Sequence, residues 1–226
     1  MRCRSVALGR IDGTGAGDVG ADIFDYVALS IAGGNIDVEG ALTTTANTDL
    51  TLDGIGIDQE AGGTINMGAG FVRLNAGAAA VTSAGDNLTI TTTNTADGGL
   101  TIDNATTIGA TGASNVAALE TVVVELTITG SAGDAFISEA DAVELQAISL
   151  GVGNTFSIDL AAAGSLTQAA GVALASGLNA TLNNGAITLT NDQNDINAIT
   201  GIILTTASGA SSITTQAGGA GNNLTV

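Results

Sequence analysis

The sequence predicts an all-β protein whose strands stack as a parallel β-solenoid, and three observations lead to that prediction. Short segments that alternate apolar and polar residues recur along the chain, such as NIDV from residue 35, DLTL from residue 49 and AITL from residue 186. Glycine is abundant, at 33 of 226 residues, and proline is absent. Aromatic residues make up only 2% of the chain.

Each observation has a physical reason. Side chains alternate along a strand, so Ile187 and Leu189 should point into the protein while Thr188 and Thr190 point away. Proline cannot donate to a hydrogen-bond ladder, and almost every strand of a solenoid is central. Few aromatic residues indicate a narrow core of stacked aliphatic side chains, as in repeat proteins whose units contact only their neighbours.

Two alternatives compete with the solenoid. A disordered chain is disfavoured because 45% of the residues are hydrophobic and follow a period of two. An antiparallel β-sandwich is the alternative fold, since its turns recur at a similar spacing. Signals for hairpins are sparse and are confined to Asp53-Gly54, Asp97-Gly98 and Asn184-Gly185.

The chain is predicted to consist of a leader and one domain. Residues 1–20 begin with Arg2, Arg4 and Arg10 and become rich in glycine, which indicates a flexible leader. Residues 21–226 are predicted to form a single β-solenoid domain, as a segment of a longer protein. Residues 1–10 have the positive start of a signal peptide without the apolar stretch that should follow, so no export signal is recognised in this chain.

One apolar residue in each strand-like segment is predicted to point into the core, at an average spacing of about 12.5 residues. This spacing fits a strand and a turn, with two or three strands making each rung. About ten rungs would form a rod about 50 Å long. Stretches from Ser114 and Ser138 could open a short helix, but both are interpreted mainly as strands and turns. The predicted inward residues are Ile36, Leu50, Ile65, Leu74, Leu88, Leu100, Leu126, Ile137, Ile148, Ile158, Val172, Ile187, Ile202, Ile213 and Leu224.

The charge distribution excludes several classes of partner. The formal net charge is −18, and beyond the first ten residues Arg73 is the single cation among 22 Asp and Glu. Such a balance repels nucleic acids and anionic membrane surfaces. The single cysteine, Cys3, provides neither a disulfide framework nor a metal-ligand cluster. No apolar run approaches the roughly 18 residues of a membrane helix, so membrane insertion is not expected.

Residues 134–206 resemble a known repeat. DAFISEADAVELQAISL, GSLTQAAGVAL and GAITLTNDQNDINAITGIIL follow one another in the order of the repeats of large bacterial surface and secreted proteins similar to filamentous haemagglutinin. Those repeats contain D-A-x-x-L, G-x-x-T-Q-x-x-G and I-T-L-T-N-x-x-N-D segments, and the match covers roughly a third of the chain. The resemblance implies a right-handed parallel β-helix within an exported adhesin or stalk at the cell surface or in the medium. A secretion domain and a translocation cap, which the family also has, are not recognised.

Candidate catalytic residues are few, because without His or Lys the acid-base groups are the carboxylates and Tyr26. Asn47-Thr48-Asp49 matches a tripeptide of pectin-cleaving β-helix hydrolases, but the adjacent Asp-Asp pair, the Gly-His-Gly and the Arg-x-Lys of those enzymes are missing. Asn47 and Asp49 are therefore expected at a turn, bonded to nearby backbone. The sequence predicts no enzyme, no catalytic, cofactor-binding or metal-binding residues, and no cofactor, and a carbohydrate-active enzyme on the same fold is kept as an alternative function.

Two binding alternatives stay open. Calcium could be held by the clusters Asp12–Asp22 and Asn191–Asp195, although neither has a known calcium-loop spacing. Ice could be bound by ranks of outward Thr pairs, for which the candidates are Thr89/Thr91, Thr127/Thr129 and Thr188/Thr190. The favoured function is a structural or adhesive segment. Its expected partners are glycans or proteins of a cell surface, or a second copy joined end to end.

Overall fold

The structure is a computed structural model in which every strand pairing is parallel. It describes residues 17–19, 27–30, 34–43, 49–77, 79–84, 89–95, 99–110, 118–151, 153–160, 164–171, 174, 177–182, 186–190, 202–206 and 212–213, and in the described residues all helical or strand structure is β-strand. The strands stack into three sheets, which form the faces of a β-solenoid. The predicted fold class is thus confirmed, and the antiparallel sandwich is wrong. The right hand of the coil stays a prediction.

Each face is built from strands of successive coils. The first face consists of β1 (Gly17–Val19), β3 (Asn35–Val38), β6 (Gly56–Gln59) and β9 (Val81–Ser83). The second face consists of β4 (Leu42–Thr43), β7 (Ile65–Asn66), β10 (Ile90–Thr92), β12 (Leu119–Val123), β14 (Ala135–Glu139), β16 (Thr155–Leu160), β18 (Gly177–Leu182) and β20 (Ile202–Thr206). The third face consists of β2 (Val27–Ser30), β5 (Leu50–Asp53), β8 (Val72–Asn75), β11 (Leu100–Asp103), β13 (Glu125–Ser131), β15 (Val143–Leu150), β17 (Leu166–Gln168), β19 (Ile187–Leu189) and β21 (Ser212–Ile213).

The third face gives the register of the solenoid, since each of its nine strands belongs to a different coil. Leu50, Val72, Leu100, Leu126 and Leu145 lie above one another in this face, and all five are fully buried. The step from Val72 to Leu100 is 28 residues, whereas the step from Leu126 to Leu145 is 19. Coil length therefore varies while the inward position is preserved.

The cross-section of the coil changes along the axis. In the earlier coils a turn separates the first face from the second, as between β6 and β7, where residues 60–64 read EAGGT. In the later coils one strand runs through both positions. Ala135 continues the first face through its bridge to Ile108, while Ile137 continues the second face through Leu119. The unbroken alternation of TFSIDL in β16, without glycine, shows why the turn is absent there.

The predicted core is confirmed wherever its side chains are described. Ten predicted inward residues are buried: Ile36, Leu50, Ile65, Leu74, Leu100, Leu126, Ile137, Ile148, Ile158 and Ile187. The other five, Leu88, Val172, Ile202, Ile213 and Leu224, lie outside the described side chains. Leu189 is buried while Thr188 and Thr190 are not, as the alternation requires.

The stretches that could have opened helices form strands. β12 and β13 occupy the first stretch from residue 119 onward, and β14 and β15 occupy the second. Residues 114–117 lie outside the described residues. The first strand, β1, lies within the predicted leader and pairs with β3, so the strand order begins before residue 20. The domain boundary itself stays a prediction.

One glycine is required because two coils come close together. A Cβ atom on Gly63 would lie 1.8 Å from the carbonyl oxygen of Val38 in the preceding coil. Contacts of that kind cannot be relieved by turning a side chain, because the obstructing atom belongs to the backbone. The Gly-Gly of the turn between β6 and β7 therefore allows this corner to stack on the one below.

The core column yields a direct test of register. We expect Leu100→Ala to reduce the free energy of unfolding by about 2–5 kcal/mol, because it leaves a cavity between Val72 and Leu126. Thr101→Ala, one residue later and facing outward, should change it by less than about 0.5 kcal/mol. Urea unfolding followed by circular dichroism measures both, and equal losses in the two variants would contradict the described register.

Candidate functional site

Polar side chains on the outside of the solenoid link successive coils. On the third face Asn75 Nδ2 donates to Asp53 Oδ1 at 2.9 Å. One coil further on, the Nε and Nη2 atoms of Arg73 each lie 2.8 Å from Asp103 Oδ2. The hydroxyl of Thr129, in the coil after that, donates to Asp103 Oδ1. Asp103 therefore joins three coils through one carboxylate.

The first face uses the same device. Asn35 Nδ2 donates to Asp58 Oδ2 at 3.0 Å from the coil before, and the Thr82 hydroxyl donates to Asp58 Oδ1 from the coil after. An aspartate between two hydrogen-bond donors gains partners that offset its desolvation. The carboxylates of Asp53, Asp58 and Asp103 hydrogen-bond neighbouring coils to one another, so their role is structural.

Asp49, the candidate from the Asn-Thr-Asp tripeptide, binds backbone. Its Oδ1 accepts a hydrogen bond from the Phe71 amide at 3.1 Å, 22 residues further along the chain. The expectation of backbone bonding is confirmed, but the partner belongs to the next coil and not to the same turn. Asp134 does the same for the Thr155 amide at 2.8 Å. Asn47 and Thr48 lie outside the described residues.

Two polar side chains that point inward, Gln59 and Asn94, lie at corners of the coil. Gln59 Nε2 donates to the carbonyl oxygen of Gly63 at 3.1 Å, and Asn94 Nδ2 donates to that of Ala69 at 2.9 Å. Both side chains thus donate to backbone carbonyl oxygens of turns. The one buried side-chain oxygen or nitrogen without a partner, among the described residues, is Gln59 Oε1.

Glu139 is the inward-pointing carboxylate among the buried described residues, and its side chain is fully buried. Thr121 Oγ1 donates to its Oε2 at 2.7 Å. The amide of Val123 lies 3.3 Å from both carboxylate oxygens, and the amide of Asp141 lies 3.3 Å from Oε1. Burial raises the pKa of Glu139 from 4.5 to about 8 against the lowering effect of these three donors, and the charge of Asp141 adds to the increase.

Glu139 was not among the candidate residues predicted from the sequence, although the alternation of side chains along its strand indicates its direction. Ile137 was predicted to point inward, and the strand continues without a bulge through AFISE. Two residues further on, Glu139 must therefore point the same way. A glutamate was simply not expected in an aliphatic core, because the unpaired charge of a buried carboxylate is costly.

Two shallow depressions lie on the outer side of the second face. The larger, of about 200 Å³, is lined by polar groups that include Thr89, Glu120 and Ser138. The smaller, of about 90 Å³, lies beside the half-buried ring of Phe136 and is lined also by Ser157, Asp159 and Thr181. An outward-facing aromatic ring among hydroxyl and carboxylate groups is suited to contact with a ligand that is part apolar and part polar.

The Thr pairs do not repeat between neighbouring coils of the described chain. Thr127 and Thr129 lie above Thr101 and Asp103, and the residue above Thr127 is Ala147. Thr91 lies between Asn66 and Val122. Thr188 has Thr167 below it and Ser212 above. A flat rank of paired hydroxyls is therefore interrupted on these faces.

The acidic clusters Asp12–Asp22 and Asn191–Asp195, together with Tyr26 and Cys3, lie outside the residues whose side chains are described. Within the described part, no three His, Cys, Asp or Glu side chains group as metal ligands would. The same residues include no helix long and apolar enough to cross a membrane. The chain matches no protein-family model, no curated protein and no solved structure.

The link between three coils at Asp103 can be tested by comparing its two sides. The side chain of Asp103 is 12% exposed, whereas that of Arg73 is 51% exposed. We expect Arg73→Ala to cost at most about 1 kcal/mol of unfolding free energy, as exposed ion pairs do. Asp103→Ala should cost about 1–3 kcal/mol, because it leaves the donors of two coils without an acceptor. Urea midpoints measure both, and a larger loss for Arg73→Ala would contradict this role of Asp103.

Proposed function

We propose that this chain is a structural and adhesive β-helical segment of a large bacterial surface or secreted protein, without catalytic activity. The observation that carries the proposal is the uninterrupted nine-stranded third face, in which each coil hydrogen-bonds to the next. A parallel ladder of this kind makes a stiff rod, because bending or stretching the rod must strain many main-chain bonds at once. Such a rod is suited to hold other parts of a protein away from a surface.

The acidic residues support the same function. Asp58 and Asp103 connect coils through their side chains, and Asp49 and Asp134 each hold a backbone amide of the next coil. Carboxylates engaged in this way stabilise the rod and keep its sides hydrated. The overall charge of −18 also opposes side-by-side aggregation in the medium. An extracellular or cell-surface location is consistent with that use of charge.

A structural segment should tolerate the loss of one whole coil. The register pairs Leu166 with Ile187, so deleting residues 166–186 removes one coil and keeps every later strand on its face. We expect this variant to fold with an unchanged β spectrum by circular dichroism. Pulled from its two ends in an optical trap, it should unfold at the same force, with a contour length shorter by about 70 Å, which is 21 residues at roughly 3.4 Å each.

The control deletion removes residues 166–176, which is about half a coil and moves later strands onto the wrong face. It should not fold into the solenoid. A whole-coil deletion that unfolds like this control would contradict the modular rod. Release of new reducing ends from polysaccharides by the wild-type chain would contradict the absence of catalysis and favour the alternative of a carbohydrate-active enzyme.

The adhesive part of the proposal rests on the outer side of the second face. Phe136 offers a ring for stacking, while Ser157, Asp159 and Thr181 offer hydrogen-bonding groups beside it. Asp159 and Glu120 place carboxylates on this face, which disfavours sulfated or sialylated chains. The chemistry that fits best is a neutral glycan.

We expect Phe136→Ala to weaken binding to immobilised neutral glycans by about two- to tenfold, the equivalent of one lost aromatic contact. Ile55→Ala is the matched control, since Ile55 is an apolar residue 40% exposed in the corner between β5 and β6. Binding is measured on a glycan array at fixed ionic strength. Equal retention of both variants would remove Phe136 from the adhesive surface and leave the rod without an assigned ligand.

A further inference from the structure

Glu139 lies where two neighbouring corners of different length are stacked. In the lower coil a single residue, Val124, separates β12 from β13. In the upper coil residues 140–142 separate β14 from β15. Corners of unequal length cannot pair residue by residue through backbone hydrogen bonds. Some of their backbone amides therefore need acceptors other than the adjacent strand.

The Glu139 side chain supplies these acceptors from inside the solenoid. Its carboxyl lies within 3.3 Å of the Val123 amide, in the lower corner, and of the Asp141 amide, in the upper corner. Thr121, directly below Glu139 in the ladder, adds a hydroxyl at 2.7 Å. Directly above, Glu139 pairs with Leu160, a fully buried aliphatic residue. The Glu139 carboxyl therefore contacts both corners, with the Thr121 hydroxyl in the coil below it and the apolar Leu160 in the coil above it.

We propose that Glu139 is a proton-controlled lock between these two coils: in the neutral form Oε1 accepts from the Val123 and Asp141 amides while the Oε2 hydroxyl donates to Thr121 Oγ1, and loss of the proton weakens this joint by leaving a buried charge. The geometry carries the proposal, because an ionised carboxylate here would be fully enclosed beside Leu160, and the one cation of the described residues, Arg73, is bound to Asp103 on another face. The lock is independent of the proposed adhesive function, since it concerns the stability of the rod itself.

In the part of the chain that the structure describes, no cationic side chain compensates the negative charge of an ionised Glu139. All titratable side chains on the elements packed against Glu139 are acidic. Among them, the charge of Asp141, in the turn after β14, raises the pKa of Glu139. These residues are Glu120 on β12, Glu125 on β13, Asp141 in the turn, Glu144 on β15 and Asp159 on β16. Arg73 is engaged with Asp103 on the third face. Ionisation of Glu139 therefore adds a buried negative charge to a negative surrounding.

The direction of the pH effect follows from the pKa of about 8 in the folded chain against 4.5 for an ordinary glutamate. Between these values the folded chain keeps a proton that the unfolded chain has lost. Stability must then fall as pH rises across this interval, by about tenfold in the unfolding constant per pH unit. Below the interval the stabilisation is fully present, and above it the loss is complete.

The test compares the full chain with two variants from pH 5.5 to pH 8.5. Glu139→Gln keeps the shape and removes the titration, so its urea midpoint should lose the pH dependence that the wild-type chain shows. Glu144→Gln removes one negative charge from a half-buried side chain on the neighbouring strand β15 and should keep the wild-type dependence. Because all other groups are shared, the difference between wild type and Glu139→Gln reports on this carboxyl alone.

A second measurement does not depend on any variant. The carboxyl carbon of Glu139 can be followed by ¹³C NMR as pH is raised, and it should titrate well above an ordinary glutamate. Thr121→Val, which removes one hydrogen-bond donor to the carboxylate, should move that titration to still higher pH. A Glu139 resonance that titrates near 4.5, or a Glu139→Gln variant with unchanged pH dependence, would overturn the lock.

Discussion

The parallel ladder between coils is the constraint on which the rest of this structure depends. Each strand can bond to its neighbours only if the inward residue of one coil lies above the inward residue of the last. A slip of one residue would turn every side chain of that strand to the opposite side. On the third face the chain keeps this register through coil steps of 19 to 28 residues, by absorbing most of the differences in its corners and turns and the rest in register shifts between β13 and β15. The corners, not the strands, are therefore where the sequence is free to vary and where polar side chains must serve the backbone.

The fold was predictable because its main signal is local. Alternation such as that of AITL depends only on adjacent residues, and all the predicted inward residues with described side chains are buried. The second and third strands of a coil were harder to find. Ile57 and Val81 are fully buried in short strands between glycines and polar residues, so no long alternation marks them. In the later coils one strand runs through the positions of the first and second faces, and this was not predicted either. It depends on the loss of the turn between the two faces and not on the pattern of any one strand.

The hydrogen-bond partners of the candidate site residues could not be predicted from the sequence, because they lie in other coils. Asp49 was predicted at a turn, but its partner, the Phe71 amide, is a residue of the next coil that only the register brings near. The links of Asp53, Asp58 and Asp103 span 22 to 30 residues and have no local signature. Composition does indicate that side chains able to form such links are abundant. A chain rich in Asp, Asn and Thr can form hydrogen bonds between coils at many positions along the solenoid. In this protein the surplus of acid is partly structural, which is why net charge alone is a weak guide to a ligand.

Glu139 shows why a solenoid retains an ionisable group in its core. A leucine there would continue the apolar column of Leu160 and spare the desolvation of a carboxyl, as apolar replacements of buried charges often do. It would, however, leave the amides of Val123 and Asp141 without the acceptor that the unequal corners require. An unsatisfied buried amide costs about 1–3 kcal/mol, so the loss of the acceptor for the buried Val123 amide alone offsets much of the gain from a leucine. A neutral glutamic acid satisfies both demands while it keeps its proton, because it fills the core with little charge and still offers oxygen atoms to the backbone. The same compromise makes the stability of this corner depend on the surrounding pH.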